Sequence, residues 1–143
     1  MADLFLILSI AGERIAFPAS QVESVIELDE VTPVPRTARH IAGLASLRSR
    51  VLTVVDCRAS LGAASAAATG EAVVVPSDGH PYALLVDGVE DVVEASAPPS
   101  RAGVPLAGGW ARVALGTVEA GGDLLLLVDP HALIAGPAAE VAA

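Results

Sequence analysis

Lysine is missing from this chain altogether, and cysteine, tryptophan and tyrosine occur once each. Without lysine there is no glycine-rich loop followed by a cation to cradle a nucleotide's phosphates, so phosphoryl-transfer chemistry lacks its usual parts. The lone Cys57 has no partner within the chain for a disulfide, and a single thiol fits a reducing compartment, which makes the cytoplasm the expected location. Aromatic residues are 3% of the sequence against 53% apolar residues overall, so the interior must be built from Val, Leu, Ile and Ala. Positive charge is also scarce: eight basic residues against seventeen acidic ones give a formal charge of −9. That balance repels nucleic-acid backbones and anionic lipid, and neither is an expected partner. No apolar run approaches the ~18 residues needed to cross a bilayer, so no direct membrane insertion is expected. The short run Leu4 to Leu8 follows Asp3, where a secretory segment would carry basic residues, and is not read as one.

What is present is short, β-branched and punctuated. A chain of 143 residues is expected to form one folding unit, and its apolar runs are bounded by Gly, Pro, Asp and Ser with little helical periodicity. Leu4 to Ala11 and Arg14 to Phe17 read as a hairpin turning at Gly12-Glu13, with Pro18 ending the second strand. A helical turn at 19–22 and a strand over 25–28 come next. The segment 41–47 is expected to turn on Gly43, and Val51 to Val55 to be a strand buried on both faces. Residues 62–70 read as a small, weakly polar connection. Residues 72–75, 82–86 and 89–94 read as three consecutive antiparallel strands. A Pro/Gly-rich loop over 97–109 precedes strands at 111–117 and 124–128, and the tail past Gly136 is expected to fray.

One echo stands out. Val55-Asp56-Cys57-Arg58-Ala59-Ser60-Leu61 resembles Val128-Asp129-Pro130-His131-Ala132-Leu133-Ile134. In both, a buried strand runs into an Asp placed to cap a short helix, with Pro130 at a first helical position that needs no donor. Two similar half-structures follow, and about ten short strands in two groups point to paired small barrels, whose closure hides the strand edges.

Catalytic constellations are absent from the pattern. His40, His80 and His131 do not share the spacing that would set two imidazoles on one helical face, so no metal is expected, and no cofactor motif is found. Cys57 directly follows an apolar strand, where a thiol serves as a small hydrophobe. Asp56, Asp87, Glu90, Asp91 and Asp129 follow or flank strands, which suits caps and turns. No catalytic residues are assigned, and the chain is not expected to be an enzyme.

The segment from Ile41-Ala42-Gly43-Leu44 through Leu47-Arg48-Ser49-Arg50 to Val54-Val55-Asp56-Cys57-Arg58 resembles the central signature of CheW-like domains. It is supported by Phe17-Pro18-Ala19-Ser20-Gln21-Val22, by Ala83 to Val92 with its Val86-Asp87-Gly88-Val89 core, and by Leu125-Leu126-Leu127-Val128-Asp129. Where the family usually has Gly after the signature Arg this chain has Ser49; Thr53 stands for a Pro, Cys57 for an apolar residue, and Ser24 for an acidic one. The resemblance implies an all-β fold of two five-stranded SH3-like β-barrels packed on a shared hydrophobic core, with short helical turns. The first barrel is expected over about 12–70 and the second over about 71–136 with a contribution from the N-terminal strand.

It also implies a non-catalytic scaffold that couples the cytoplasmic tip of chemoreceptors to the regulatory domain of a CheA-type histidine kinase, cytoplasmic and recruited to membrane-associated receptor arrays. Carried over by position, the partner-binding residues are Val22, Ser24, Val25, Gly43, Leu44, Arg48, Val86 and Val89. Val22 and Val25 are expected to be exposed apolar contacts. Gly43, Leu44 and Arg48 are expected in a signature loop beside the groove between barrels, with Val86 and Val89 bordering it from the second barrel. Arg48 is the first choice for orienting the receptor, because a guanidinium donates several directed hydrogen bonds. The alternatives are a two-barrel module serving another signalling pathway, or a Cys57-dependent enzyme.

Overall fold

The computed structural model describes residues 3–63, 70–95, 99–100 and 109–136. The connection expected over 62–70, the 97–109 loop and the tail past Gly136 fall mostly outside them. One five-stranded sheet holds β3 (Ser24–Leu28), β4 (Ile41–Leu47), β5 (Arg50–Asp56), β6 (Gly70–Ser77) and β7 (His80–Leu85), in the order β3-β6-β7-β5-β4. The other holds β1 (Leu4–Ile10), β2 (Glu13–Pro18), β8 (Gly88–Glu94), β9 (Ala114–Ala120) and β10 (Asp123–Val128), in the order β8-β1-β2-β10-β9. Short helices α1 (Cys57–Ser60), α2 (Gly109–Val113) and α3 (Pro130–Ala135) complete the described elements with a 3-10 turn at Ala19–Gln21.

Each sheet is closed by a bridge between its outer strands or the segments beside them. Thr32 and Leu44 exchange two 2.8 Å hydrogen bonds across the first sheet's opening, while Ala95 pairs with Ala120 across the second. Alternation along the strands then sorts side chains into three cores. Leu52, Val54, Ala72, Val74, Ala83 and Leu85 fill the first barrel; Phe5, Ile7, Ala16, Val118, Leu125 and Leu127 fill the second. The opposite faces of the same strands, including Leu8, Ile15, Phe17, Val55, Val73, Leu84 and Val128, pack the barrels against each other. Strand β6 therefore buries four residues in a row, Ala72 to Val75.

The two barrels repeat one another, and the echo around Asp56 and Asp129 is the visible end of that repeat. Positions 73 apart correspond throughout the β4–β5–α1 and β9–β10–α3 units. Asp56 caps α1 by accepting from the Ala59 amide at 3.1 Å, and its own amide donates to His40. Asp129 caps α3 by accepting from the His131 amide at 3.0 Å, and its amide donates to Val113. Pairing skips one residue before Gly43 in β4 and one before Gly116 in β9, so each strand carries a bulge with a positive-φ glycine, at 150° and 148°. The Thr32–Leu44 bridge likewise has its counterpart in Ser100–Thr117. The hairpin β1–β2 corresponds to β6–β7, so the second barrel is a permuted copy of the first, completed from the N-terminus.

Several expectations need correction. The sheets do not divide at residue 70: β6 and β7 belong with β3 to β5, and the second barrel takes both N-terminal strands instead of one. The β7 and β8 strands are not neighbours, because β8 pairs with β1, and Asp87-Gly88 is a crossing between barrels where a hairpin turn was read. Gly43 lies within a strand, since its flexibility serves a bulge. The first part of 111–117 is the helix α2, and the first hairpin turns at Ala11-Gly12, both with φ near the left-handed region that a two-residue turn requires. Only the second half of β5 is buried on both faces; Val51 is 52% exposed.

Candidate partner-binding surface

The exposed part of the signature is the β4–β5 hairpin. Its two-residue turn, Arg48-Ser49, sits at φ of 49° and 72°, the conformation that asparagine and glycine usually supply, and it holds the Arg48 side chain in solvent. On the outward face of the hairpin Leu44 is 38% exposed and Val51 52% exposed. Register sets Leu44 opposite Thr53 and Ser46 opposite Val51, so the two apolar side chains are diagonal neighbours on one surface. Val25, 41% exposed on the edge strand β3, adds a third apolar position.

The barrel's curvature brings β3 towards this hairpin. Arg50 Nη1 lies 2.6 Å from Glu23 Oε2, joining the residue before β3 to the first residue of β5 although those strands are not paired in the sheet. That hydrogen bond holds the Glu23 carboxyl below the usual carboxylate range and raises Arg50. Half-buried Ser24 adjoins Glu23, and Arg48 lies two residues from Arg50. Ser24, Val25, Arg48, Leu44 and Val51 thus lie on and around one side of the first barrel.

Four sequence-derived positions behave differently. Gly43 is buried, and a Cβ built there would lie 2.2 Å from the Thr32 carbonyl oxygen, so its role is the close approach that shuts the first barrel. Val22 is half-buried against the shared core rather than exposed, as are Val86 and Val89. Val86 and Val89 lie at the far end of β6, where both the Val86 and Val89 amides donate to Glu71, which faces Glu27 of β3. Glu27 lies four residue steps along the chain from Glu23, about 13 Å. The eight positions therefore form two groups joined along β3 and not a single cluster.

Sequence reasoning missed the ion pairs that organise these groups. Arg58 on α1 donates to Asp87 Oδ1 through Nε and Nη2 at 3.2 and 3.1 Å, while Asp87 Oδ2 accepts the Gly12 amide at 2.9 Å. Both residues read locally as a helix residue and a turn residue; nothing in a 29-residue separation marks them as partners. Also unforeseen is a shallow groove of about 290 Å³ on the second barrel, walled by Ile15, Trp110, Leu124 and Leu126. Val51 and Leu124 are equivalent positions in the repeat, and both are among the most exposed large apolar residues described.

Nothing described resembles a catalytic centre. Cys57 is fully buried, and loss of solvation, with Asp56 and Asp87 nearby, pushes its thiol pKa upward, the reverse of what a nucleophile needs. His80 meets Thr53 Oγ1 at 2.9 Å, and His40 Nε2 meets the Ile134 carbonyl at 2.8 Å. Among the described residues no three His, Cys, Asp or Glu side chains gather as a metal site would require, and no helix is long and apolar enough to cross a membrane.

Comparison with known proteins agrees with this architecture. The family model of the CheW-like domain matches residues 4–138. The chemotaxis protein CheW of Thermotoga maritima is 36% identical over 50 residues, an alignment spanning 35% of this chain and about a third, 33%, of that relative's length. The crystal structure of the scaffolding protein TtCheW from Thermoanaerobacter tengcongensis superposes with a TM-score of 0.77 at 21% identity, covering 93% of this chain and 88% of that one. Two closed five-stranded barrels on a shared core, the signature hairpin and a family match over nearly the whole length lead to one assignment: this chain belongs to the CheW-like domain family.

Proposed function

We propose that this chain is a non-catalytic scaffold of bacterial chemosensory arrays, coupling the cytoplasmic tips of chemoreceptors to the regulatory domain of a CheA-type histidine kinase. It works in the cytoplasm, recruited to membrane-associated arrays by its partners, and needs no cofactor. The observation that carries this reading is the signature hairpin, which presents Leu44 and Val51 beside a solvent-facing Arg48 on a closed barrel. Closure satisfies the backbone, so the hairpin can offer side chains to a partner without offering a sheet edge for aggregation.

An amphipathic receptor helix needs apolar area and a few directed polar contacts to fix its rotation. Val25, Leu44 and Val51 supply the area, and Arg48 supplies the direction. Ser24, beside the Glu23–Arg50 pair, adds a neutral hydroxyl to this surface. Val22, Val86 and Val89 edge the groove between barrels as shallow, half-buried contacts, while Gly43 contributes through the shape of the strand.

Calorimetric titration of the purified chain with the regulatory domain of a CheA-type kinase from the same organism tests the scaffold reading. Saturable binding is expected. Failure to bind at high concentration would overturn the coupling role and leave a two-barrel module with some other partner.

A further inference from the structure

The chain crosses from the first barrel to the second at residues 86–87, between the end of β7 and the start of β8, with the groove valines Val86 and Val89 on and just after it. Loops between sheets ordinarily leave amides to water, yet this crossing has its donors taken. The Val86 amide donates to the Glu71 carbonyl at 3.1 Å, the Asp87 amide to the Ser9 carbonyl at 2.8 Å, and the Val89 amide to Glu71 Oε1 at 3.3 Å. Gly88 pairs with Ser9 across β1 and β8. The Asp87 carboxylate then splits its oxygens between the halves of the molecule: Oδ1 takes Arg58 of the first barrel's helix, and Oδ2 takes the Gly12 amide in the second barrel's hairpin turn.

The repeat shows that this arrangement is not imposed by the fold. At the other crossing the equivalents of Asp87 and Arg58 are Ser20 and His131, and His131 Nε2 instead meets the Pro76 carbonyl at 3.3 Å. Two carboxylates meet at one crossing, Glu71 from the start of β6 accepting the Val89 amide and Asp87 bonding both barrels, and together they go beyond what connection alone requires. The shared apolar core already holds the barrels together, and an exposed ion pair adds little to stability. What the carboxylates add is direction: they fix the path of 86–89 and with it the side chains of Val86 and Val89.

We infer that Glu71 and Asp87 are positioning residues for the groove, holding the 86–89 crossing so that Val86 and Val89 face a docked receptor helix in one arrangement. This rests on the coupling function proposed above. The receptor is the partner whose docking depends on these valines, and kinase binding serves as the control.

Amide hydrogen exchange across 86–89 reads the positioning without any partner, and calorimetry against a receptor-tip peptide and the kinase regulatory domain reads its consequence. Asp87→Ala and Glu71→Ala are expected to speed exchange at Val86 and Val89 about tenfold or more and to weaken receptor-tip binding about tenfold, with kinase binding within about twofold of wild type. Asp87→Asn and Glu71→Gln keep an oxygen acceptor and are expected to recover most of both losses, which a global defect in folding would not permit. Unchanged exchange at 86–89 in both alanine variants would overturn the inference, as would faster exchange with unaltered receptor affinity. A wild-type chain that binds no receptor tip would instead defeat the coupling function, while the exchange arm would still decide whether the carboxylates pin the crossing.

Discussion

Glu23 and Arg50 close the seam of the first barrel with a 2.6 Å ion pair, and the equivalent positions of the second barrel carry Glu90 and Asp123, two carboxylates. The second barrel resolves that conflict with a residue from a third strand: Arg14 on β2 donates to Glu90 Oε2 at 2.7 Å and to Asp123 Oδ2 at 2.6 Å. The same seam is thus bridged twice by different means, once by a neutral pair and once by a cation wedged between like charges.

Acid should weaken the second seam. The hydrogen bond from Arg14 holds the Glu90 carboxyl below its ordinary range. A carboxyl whose folded pKa is depressed contributes stability that is full above its unfolded value, about 4.3 for Glu, and is lost as pH falls through the folded value. The Tm difference between wild type and Arg14→Met is therefore expected at pH 7 and should shrink below pH ~4. It should be modest, because all three groups are exposed and screened. A gap that persists undiminished to pH ~2 would assign Arg14's contribution to packing of its methylenes.

Arg48→Glu should leave the fold intact and weaken receptor-tip binding. The side chain is exposed on a two-residue turn, so charge reversal costs little stability, whereas an oriented donor becomes a repelling acceptor at the docking surface. Melting and calorimetry on the same sample separate the two effects. A collapse in Tm with the charge reversed would make Arg48 structural.

Gly43→Ala should destabilise the chain far more than Gly12→Ala. Both glycines have positive φ, but a Cβ at Gly12 meets nothing within 4 Å, while at Gly43 it would lie 2.2 Å from the Thr32 backbone oxygen. Strain alone costs about 1 kcal/mol at Gly12; at Gly43 the bulge and the Thr32–Leu44 bridge must also shift, for about 3 kcal/mol or more. Urea unfolding measures both. Equal losses would mean that the bridge is dispensable for closing the first barrel.

The fold was legible where local chemistry decides it. The Asp caps at 56 and 129, Pro130 at the first turn of α3 and the β-branched runs each act over a few residues, and their repetition disclosed the halves. Strand partnership was not legible in the same way. Asp87-Gly88 has the composition of a hairpin turn, and only the pairing of β8 with β1 makes it a crossing. Gly43 read as a turn because a bulge and a turn demand the same backbone freedom. At the surface, Arg48 and Leu44 were found through the signature, whereas Val51 looked like core: β-branched residues in a strand are usually buried, and the outward face of an edge hairpin is visible only once its register is known.

Cys57 gives the last test, because it decides between scaffold and thiol chemistry. The thiol sits in the shared core with no exposed surface, and burial pushes its pKa up, so at neutral pH the thiolate that alkylating reagents require is scarcely populated. Reaction then has to wait for opening of the core, and labelling of the native chain at pH 7 should run at least about a hundredfold slower than in urea. The rate should rise steeply with denaturant, following the stability of the shared core. Native labelling as fast as the unfolded thiol would mean that solvent reaches Cys57 in the folded state and would return the enzymatic alternative to consideration.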